Sequence, residues 1–302
     1  MRIGIDVGGT KIEIAVLDDS DACLVRRRVD TPRSDYTAIC RAIADLVLSA
    51  ESEIGAQATV GVAIPGVISP TTGLVNKTNT VCLIGHPFIA DLEALLRRPV
   101  RAENDANCMI VSEVHDGAAR DADSAFGVII GTGTGGGLVL GRKLISGVQG
   151  IAGEWGHNPM PGIALGAKSR ACYCGRFDCI ETYLCGAGLL RTYVEAGGPA
   201  LERVEALVAA AHDGDECAGK VLAQYPRQFA CALGTIINVI DPAYVVLAGG
   251  LSNLARLSQA IQEALPAYVY ADSVSTRIVK ALYGDSSGVR GAAWLWSVRP
   301  EE

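Results

Sequence analysis

One hydrophobic pattern occurs twice in the chain: an apolar run, a turn rich in glycine and threonine, and a second apolar run. The first copy spans Arg2 to Leu17 around the turn Asp6-Val7-Gly8-Gly9-Thr10-Lys11. The second spans Phe126 to Leu140 around Gly131-Thr132-Gly133-Thr134-Gly135-Gly136-Gly137, roughly 125 residues further on. Alternating apolar positions beside such a turn predict two strands, and the repetition indicates an internal duplication.

Elsewhere the pattern alternates between helical and extended periods. Apolar residues predict helices over Tyr36–Ser52 and Phe88–Arg97, and β-branched runs predict strands over Thr59–Ile64 and Val100–Glu103. Further helices are expected from Asn104 to Gly117, Leu201 to His212, Glu216 to Ile240 and Ser287 to Trp296, and further strands over Ala243–Leu247 and Thr276–Ala281. No linker or low-complexity tract interrupts the pattern, so the repeat alone places a domain boundary, near residue 117.

The two glycine turns have the composition of phosphate-binding loops. Glycine lets the backbone approach a phosphate closely, successive N–H groups can form an anion-binding nest, and Thr10 adds a hydroxyl. The G-x-x-x-x-G-K-[ST] spacing of a Walker loop is missing, and a strand rather than a helix follows each turn. A single turn of this kind is equally compatible with a plain hairpin. Its repetition favours two nests that hold one polyphosphate.

Asn104 and Asp105 stand where a predicted strand gives way to a predicted helix. In open α/β sheets the carboxyl ends of the strands are where ligands bind. Asp105 therefore has two interpretations, a catalytic carboxylate or the N-cap of the helix. The two roles are compatible, and the pattern does not choose between them.

The stretch from Glu154 to Glu181 concentrates the residues with the strongest chemistry. His157 lies fifteen positions before the first of three cysteines spaced C-x-C-x4-C, which are Cys172, Cys174 and Cys179. Three thiolates and an imidazole are the ligands that tetrahedral zinc prefers, and a site closed by four protein ligands is structural. The alternative is ordinary buried thiols beside a hydrogen-bonded imidazole. The tight spacing favours zinc, which would fix the directions of both glutamates.

Composition narrows the class of protein. The chain has 302 residues, of which 49% are hydrophobic, enough to bury a sizeable core. A net charge of -7 argues against a nucleic-acid-binding surface. Ten cysteines scattered along a chain without a signal peptide predict a reducing, cytoplasmic location. No apolar run approaches the ~18 to 20 residues that span a bilayer, so we expect a soluble protein without membrane contact.

Taken together, the motifs resemble the signature set of the ROK sugar kinases. They are, in chain order, Asp6-Val7-Gly8-Gly9-Thr10-Lys11, Glu103-Asn104-Asp105-Ala106, Gly131-Thr132-Gly133-Thr134-Gly135, Glu154-Trp155-Gly156-His157, the C-x-C-G-x-x-x-C-x-E run and Ala248-Gly249-Gly250. The similarity covers essentially the whole chain. Within the family it is expected to be greatest to bacterial fructokinases of the mannose/fructose kinase type, including the tail from Gly284 to Gly291.

The resemblance implies an α/β fold of the actin/hexokinase-like (ribonuclease H-like) kind, duplicated into two domains with a central ligand cleft. Residues 1–117 would form the smaller domain, with the first phosphate turn and the catalytic aspartate, joined by a C-terminal helix over 287–302. Residues 118–286 would form the larger domain, with the second turn, the zinc site and the adenosine site. A homodimer is expected because dimers are common among relatives.

The resemblance also implies roles for individual residues in an ATP- and Mg²⁺-dependent transfer to a hexose. Asp105 would be the general base that takes the proton from the sugar's primary hydroxyl. The sugar would contact Gly66, Asn79, Asn104, Glu154, His157 and Glu181, and His157 would also bind zinc. The phosphates of ATP would lie by Gly8, Gly9, Thr10, Gly131, Thr132, Gly133 and Thr134, adenosine by Gly249 and Gly250, and Mg²⁺ near Asp6. Lys11 belongs to the first motif without an assigned role.

Two departures from the family pattern bear on these expectations. Asp178 replaces a usual glycine, which we expect to alter the turn before Cys179 and to add a charge beside the metal. Cys82 replaces a tryptophan common after the Asn79 region, which predicts a more open rim of the sugar pocket. Neither departure removes a residue assigned to the chemistry.

Fructose is the expected substrate, with fructose 6-phosphate as product, and there are three alternative functions. An N-acetylhexosamine or glucose kinase uses the same scaffold, because Glu154 and Glu181 serve all these sugars. A catalytically silent sugar-binding or sensor protein is disfavoured, since Asp105 and both phosphate turns are present. A sugar-sensing repressor would carry a helix-turn-helix before the first turn, which here begins at Asp6.

Overall fold

Each glycine turn joins two strands of its own five-stranded sheet in the computed structural model, which describes residues 1–32, 34–78, 80–162 and 169–296. The first sheet has the order β3-β2-β1-β4-β7 and is built from β1 (Arg2–Val7), β2 (Lys11–Leu17), β3 (Cys23–Asp30), β4 (Thr59–Ile64) and β7 (Val100–Asn104). The second has the order β10-β9-β8-β11-β12 and is built from β8 (Ser124–Ile130), β9 (Thr134–Leu140), β10 (Lys143–Leu144), β11 (Tyr244–Ala248) and β12 (Arg277–Lys280). A separate pair is formed by β5 (Val67–Ile68) and β6 (Val75–Asn76).

The two sheets repeat one arrangement of strands, which confirms the predicted duplication. In the first sheet β1 pairs antiparallel with β2 and parallel with β4, and β4 pairs parallel with β7. In the second, β10 pairs antiparallel with β9, and β11 runs parallel to both β8 and β12. In both, the strand before the glycine turn is central, so the turn and the ends of the neighbouring parallel strands come to the same edge.

The described chain also contains nine α-helices, most of which match the predicted helical stretches. They are α1 (Tyr36–Ile54), α2 (Phe88–Leu96), α3 (Asp105–His115), α4 (Glu181–Leu184), α5 (Gly186–Glu195), α6 (Val204–His212), α7 (Glu216–Ile240), α8 (Leu257–Ala264) and α9 (Ser287–Trp294). Helix α1 starts where Asp35 accepts a hydrogen bond from the Ala38 N–H and stops at Gly55 in the left-handed conformation. Among the residues that the structure describes, no helix combines the length and apolar character needed to cross a membrane.

The chain divides into two compact units. One combines Met1–Asp121, Gly137–Ala152 and the described chain from Leu282 onward, and the other combines Ala122–Gly136 and Gly153–Ala281. The first segment of the first unit ends at Asp121, close to the expected boundary at residue 117. The expected continuous domain 118–286 differs from the observed unit, because Gly137–Ala152 belongs to the first unit. The domain assignment itself stays a prediction.

In the first unit an apolar cluster joins the strands of the sheet to α1 and α2. Ile3, Ile5, Ile14 and Val62 on the strands are fully buried with Ile43 of α1. Helix α9 packs against this unit through Val289, Ala292 and Trp294, all buried. It ends at Trp294, short of the expected span 287–302, of which residues 297–302 lie outside the described chain.

Candidate active site

The first group of candidate residues surrounds the junction of β7 and α3. Asn104 is the N-cap of α3, because its Oδ1 accepts from the Ala106 N–H at 2.8 Å, and its Nδ2 donates to the Gly66 carbonyl at 3.1 Å. Asp105 is therefore the first helical residue rather than the N-cap, and its half-buried carboxylate accepts from the Ala106 N–H at 2.8 Å. A carboxylate here is stabilised in its charged form by the positive end of the helix.

Gly66 must be a glycine for this junction to form. Its φ is +98°, and a Cβ atom would lie 2.8 Å from the Cβ of Thr78. A cavity of about 320 Å³ borders Gly66, Asn104 and Gly147. Asn79, the other predicted contact from this region, lies outside the described residues. Cys82, expected to open the rim, is half-buried and packs against the core of this unit.

Glu103 is a residue of this junction whose contacts the sequence did not reveal. Its Oε2 accepts from Asn107 Nδ2 at 2.9 Å and its Oε1 from Ser146 Oγ at 2.6 Å. Asn107 is one helical turn further along α3, and Ser146 lies in the distant loop after β10. Glu103 thereby connects that loop to the start of α3, immediately before Asn104 and Asp105.

The first glycine turn is braced from one side and open on the other. The Gly8 N–H donates to the Lys11 carbonyl at 2.9 Å, and Thr31 donates through its hydroxyl to the Gly8 carbonyl and through its N–H to the Thr10 carbonyl. Gly9, Thr10 and Lys11 are exposed, whereas Asp6, at the end of β1, is half-buried. The turn therefore keeps a defined shape while part of its backbone stays accessible to an anion.

The second turn is held by the second unit. The Gly131 N–H donates to the Gly133 carbonyl at 3.0 Å, the Gly186 N–H to the Gly131 carbonyl at 2.9 Å, and the Thr134 N–H to Glu181 Oε2 at 2.8 Å. The predicted sugar contact Glu181 thus lies directly against the predicted phosphate turn. Thr134 is buried, while Gly131, Thr132 and Gly133 keep partial or full exposure.

A cavity of about 720 Å³ opens beside this turn, entirely within the second unit. The predicted residues Gly131, Thr132 and Gly250 line it. Gly249 directly precedes Gly250 and has a φ of +81°. A Cβ atom at this position would clash with the Ile130 carbonyl oxygen. The sequence missed the rest of the wall, which comprises Leu190, Val204, Val208, Leu251 and Leu254, with Glu202, Arg203, Glu205 and Asn253 as polar members. An apolar pocket with a few polar groups next to a phosphate nest suits a nucleoside.

The predicted metal ligands come together. One ligand atom from each of His157, Cys172, Cys174 and Cys179 lies within 4.8 Å of all the others. Cys172 Sγ is 3.7 Å from His157 Nδ1, and the sulfurs of Cys174 and Cys179 are 3.6 Å apart. A tetrahedron with Zn–S bonds of about 2.3 Å has edges of about 3.8 Å, which is close to these two separations, and the four donors have the chemistry of a zinc site.

The thiols of this cluster differ in acidity. Burial raises the pKa of Cys174, but hydrogen bonds from the Arg176 backbone and from Cys172 outweigh it and bring the pKa down to about 6. Burial, followed by the neighbouring thiols, raises the pKa of Cys179 to about 12. Since a metal binds the thiolate, Cys174 would supply a ready ligand, whereas Cys179 would have to lose its proton for an ion to bind.

Asp178 does not face the metal ligands, which corrects the expectation of a charge beside the ion. With φ +54° it turns its carboxylate to Ser169 Oγ at 2.5 Å, the Arg170 N–H at 2.7 Å and the Tyr183 hydroxyl at 2.7 Å. The hydrogen bond from Ser169, followed by those from Arg170 and Tyr183, lowers the pKa of Asp178. Its charge attaches the metal loop, which is the loop that carries Cys172, Cys174 and Cys179, to α4.

Arg170 extends this attachment to α5. Its side chain is buried, and its guanidinium donates to the Thr182 and Gly188 carbonyls, to Thr192 Oγ1 and, at 2.6 Å, to Glu195 Oε2. Helix α5 also lines the 720 Å³ cavity through Gly186, Ala187 and Leu190. Arg170 therefore joins the metal loop to a helix of the nucleoside pocket.

We expect Arg170→Met to lower the free energy of unfolding by about 3 kcal/mol, because it leaves buried carbonyls and one side of Glu195 without their charged donor. Arg191→Met is the matched control: Arg191 contacts the same Glu195 at 2.7 Å, but 44% of its side chain is exposed. It should cost about 0.5 kcal/mol or less. Urea denaturation checks both values, and equal losses would contradict the assigned role of Arg170.

The remaining candidates, Glu154 and His157, are fixed by the residues between them. Trp155 is buried and donates from its indole N–H to the Gly135 carbonyl at 3.0 Å, which ties the short 3-10 turn Trp155–His157 to the second glycine turn. Tyr173 faces the same place: partial burial, then the charges of Glu181 and Glu154, raise the pKa of its phenol. The second unit therefore brings together the carboxylates of Glu154 and Glu181, the imidazole of His157 and the phenol of Tyr173.

Comparison with known proteins identifies the scaffold. The family model described as ROK family matches residues 2–299. The chain belongs to the ROK family. The ROK hexokinase from Thermus thermophilus superimposes with a TM-score of 0.85 at 31% identity, covering 97% of this chain and 96% of that one. A ROK family glucokinase from Streptomyces griseus, solved with glucose and AMPPNP, gives a TM-score of 0.77 at 27% identity over 97% and 98% of the two chains. The predicted actin/hexokinase-like α/β fold is confirmed.

The relatives of this ROK protein do not support the expected similarity to fructokinases. N-acetyl-D-glucosamine kinase from Pasteurella multocida (strain Pm70) is 41% identical over 302 residues, covering 98% of this chain and 99% of that protein. The protein of the same name from Histophilus somni (strain 129Pt) is 39% identical over 305 residues, covering 99% and 100%. These relatives support the N-acetylhexosamine alternative better than the fructose assignment.

Proposed function

We propose that this ROK protein is an ATP-dependent kinase that phosphorylates N-acetyl-D-glucosamine on its primary hydroxyl. The observation that carries the substrate is the 41% identity over nearly the full length of an N-acetyl-D-glucosamine kinase. The kinase chemistry is supported by Asp105 at the carboxyl end of β7 and by two braced glycine turns.

In the proposed reaction Asp105 accepts the proton of the sugar's 6-hydroxyl as that oxygen attacks the γ-phosphorus of ATP. Phosphoryl transfer has a loose transition state, so the main tasks of the protein are alignment and charge stabilisation. Asn104 would hold the hydroxyls beside the nucleophile, since its side chain is already fixed by Gly66 and Ala106. The turns at Gly8–Thr10 and Gly131–Thr134 would bind the phosphates through backbone N–H groups.

A divalent cation, Mg²⁺ in the expected case, would neutralise charge on the transferred phosphoryl group when bound with ATP. Asp6, half-buried at the end of β1, has the carboxylate chemistry to face such an ion, directly or through water. Adenosine would enter the 720 Å³ cavity, with its base against Leu190, Val204 and Val208. The role of Lys11 stays open.

Glu154 and Glu181 would hydrogen-bond the sugar ring, and His157 would lie in contact with it. Carboxylates accept hydrogen bonds from sugar hydroxyls, and Glu181 is already oriented by the Thr134 N–H. The Cys3His cluster would hold Zn²⁺ as a closed structural site, whose task is to fix the loop that carries Tyr173 and ends at Glu181. A homodimer and a cytoplasmic location stay predictions.

The experiment that tests this proposal is ATP-dependent ADP release by purified, zinc-loaded protein with five sugars: N-acetylglucosamine, N-acetylmannosamine, glucose, mannose and fructose. We expect kcat/KM for N-acetylglucosamine to exceed that for fructose by at least ~10²-fold, since a site that pairs a substrate amide discriminates against sugars without it. Preference for fructose would restore the original assignment. Absence of ADP release with all five sugars would instead support a binding or sensor protein.

A further inference from the structure

Tyr173 combines two properties that a merely structural residue of the metal loop does not need. It lies between the ligands Cys172 and Cys174, yet its side chain is 78% exposed. Its hydroxyl is 3.1 Å from His157 Nε2, and the two rings meet edge to face, with centroids 5.2 Å apart at 81°. An exposed aromatic side chain is thus held in one orientation by a candidate sugar-binding histidine.

The direction of the hydrogen bond follows from the metal cluster. His157 presents Nδ1 to Cys172 Sγ at 3.7 Å, so Nδ1 is the nitrogen that would ligate a zinc ion in this cluster. An imidazole that ligates through Nδ1 carries its proton on Nε2. With zinc bound in this way, Nε2 would donate to the phenol oxygen of Tyr173. The phenol's own O–H is left to donate elsewhere.

The protein itself offers acceptors for this O–H group, but a carbonyl group of the substrate is a more specific acceptor. The carboxylates of Glu154 and Glu181 lie near enough to Tyr173 to act on its phenol electrostatically. As acceptors, they suit the hydroxyl groups of a sugar. Of these four side chains, His157 already uses its N–H, so Tyr173 offers the donor that a substrate carbonyl requires. The acetamido group of an N-acetylated hexosamine has such a carbonyl, next to a methyl group that can pack on an aromatic ring.

We propose that Tyr173 is a specificity-determining substrate contact, whose hydroxyl donates to the carbonyl oxygen of the 2-acetamido group while its ring packs against the acetyl methyl. This inference rests on the proposed function in taking an N-acetylated hexosamine as substrate. It adds a residue from the metal loop to the sugar site and links the metal to specificity, because zinc on Nδ1 of His157 would fix the tautomer in which Nε2 donates to Tyr173.

The test compares N-acetylglucosamine with glucose in wild-type protein and in Tyr173→Phe. We expect the ratio of the two kcat/KM values to fall about ten-fold in Tyr173→Phe, through a higher KM for N-acetylglucosamine, because one hydrogen bond to the substrate is lost. Activity with glucose should stay within about two-fold, and the zinc content should be unchanged. Tyr173→Leu, which also removes the ring, should lower the ratio further.

Phe177→Leu is the matched control, since Phe177 is another exposed aromatic residue of the same loop, at 63% exposure, and should leave the ratio unchanged. An unchanged ratio in Tyr173→Phe with full zinc content overturns the proposal. So does loss of zinc from Tyr173→Phe, because Tyr173 would then support the metal site only. If wild type does not prefer an N-acetylated sugar, the proposed function fails by itself. Tyr173 is then still judged on the ratio of the kcat/KM values for N-acetylglucosamine and glucose, and an unchanged ratio in Tyr173→Phe rejects the contact.

Discussion

Asp105→Asn is expected to lower kcat by about 10²- to 10⁴-fold, because the amide cannot take the proton from the attacking hydroxyl. Asparagine keeps the shape of the side chain, and the cap of α3 belongs to Asn104, so the fold and the binding of sugar and ATP should be retained. Turnover is measured by coupled ADP release, and sugar binding by calorimetry on the same protein.

Asp35→Asn is the control for this change. Asp35 also stands at the start of a helix, where its carboxylate accepts from the Ala38 N–H at 2.9 Å, and asparagine caps helices about as well as aspartate. Its substitution should leave kcat unchanged. Near-normal turnover by Asp105→Asn would remove Asp105 as the base, and loss of sugar binding in parallel with kcat would indicate a binding role instead.

Cys179→Ser is expected to abolish zinc binding, because it removes one of four ligands from a closed site. Glu181 follows Cys179 by two residues, and His157 is itself a ligand, so both would lose their fixed positions. We expect kcat/KM to fall by at least ~10-fold, mainly through a higher KM for the sugar, together with a lower melting temperature.

Zinc is measured by elemental analysis of the purified protein, and Cys23→Ser serves as the control. Cys23 is an exposed free cysteine at the start of β3, away from the cluster, so its substitution should change neither metal content nor activity. Full zinc content in Cys179→Ser would show that Cys179 is not a ligand. Normal sugar kinetics without zinc would separate the metal from the sugar site.

The features that could be predicted from the sequence are those whose evidence is local. Each glycine turn is flanked by the strands that it joins, so the hairpins of β1–β2 and β8–β9 follow from a short pattern. The metal ligands Cys172, Cys174 and Cys179 are close in sequence, which limits how far apart their sulfurs can lie. Gly66, Asn104 and Glu181 were recognised through motifs, and the first two are joined by a hydrogen bond.

Other features depend on contacts that a local pattern does not contain. Helix α5 begins with Gly186-Ala187-Gly188. Because glycine has a low helix propensity, the two glycines in its first turn prevent its prediction from the sequence. Asp178 was expected beside the metal, because its sequence neighbours are ligands, yet a left-handed backbone turns it to Ser169 and Tyr183. Arg170 reaches Glu195, 25 residues away, and could be assigned only from the fold.

The sequence does not distinguish the candidate substrates, for a chemical reason. Glu154 and Glu181 accept hydrogen bonds from hydroxyls that fructose, glucose and N-acetylglucosamine all possess, so these residues do not discriminate among the sugars. A residue able to discriminate has to meet the group in which the sugars differ. Tyr173 lies between two metal ligands, and its hydroxyl meets His157 only once the loop is folded.

The most direct test of the proposed function is the identity of the product formed from ATP and N-acetylglucosamine by the zinc-loaded protein. We predict one ADP released per sugar phosphorylated, with proton-phosphorus NMR placing the phosphate on O6. We also predict that Asp105→Asn forms this product at least ~10²-fold more slowly. A phosphate on another oxygen, or rapid phosphorylation of fructose with N-acetylglucosamine left unchanged, would contradict the account.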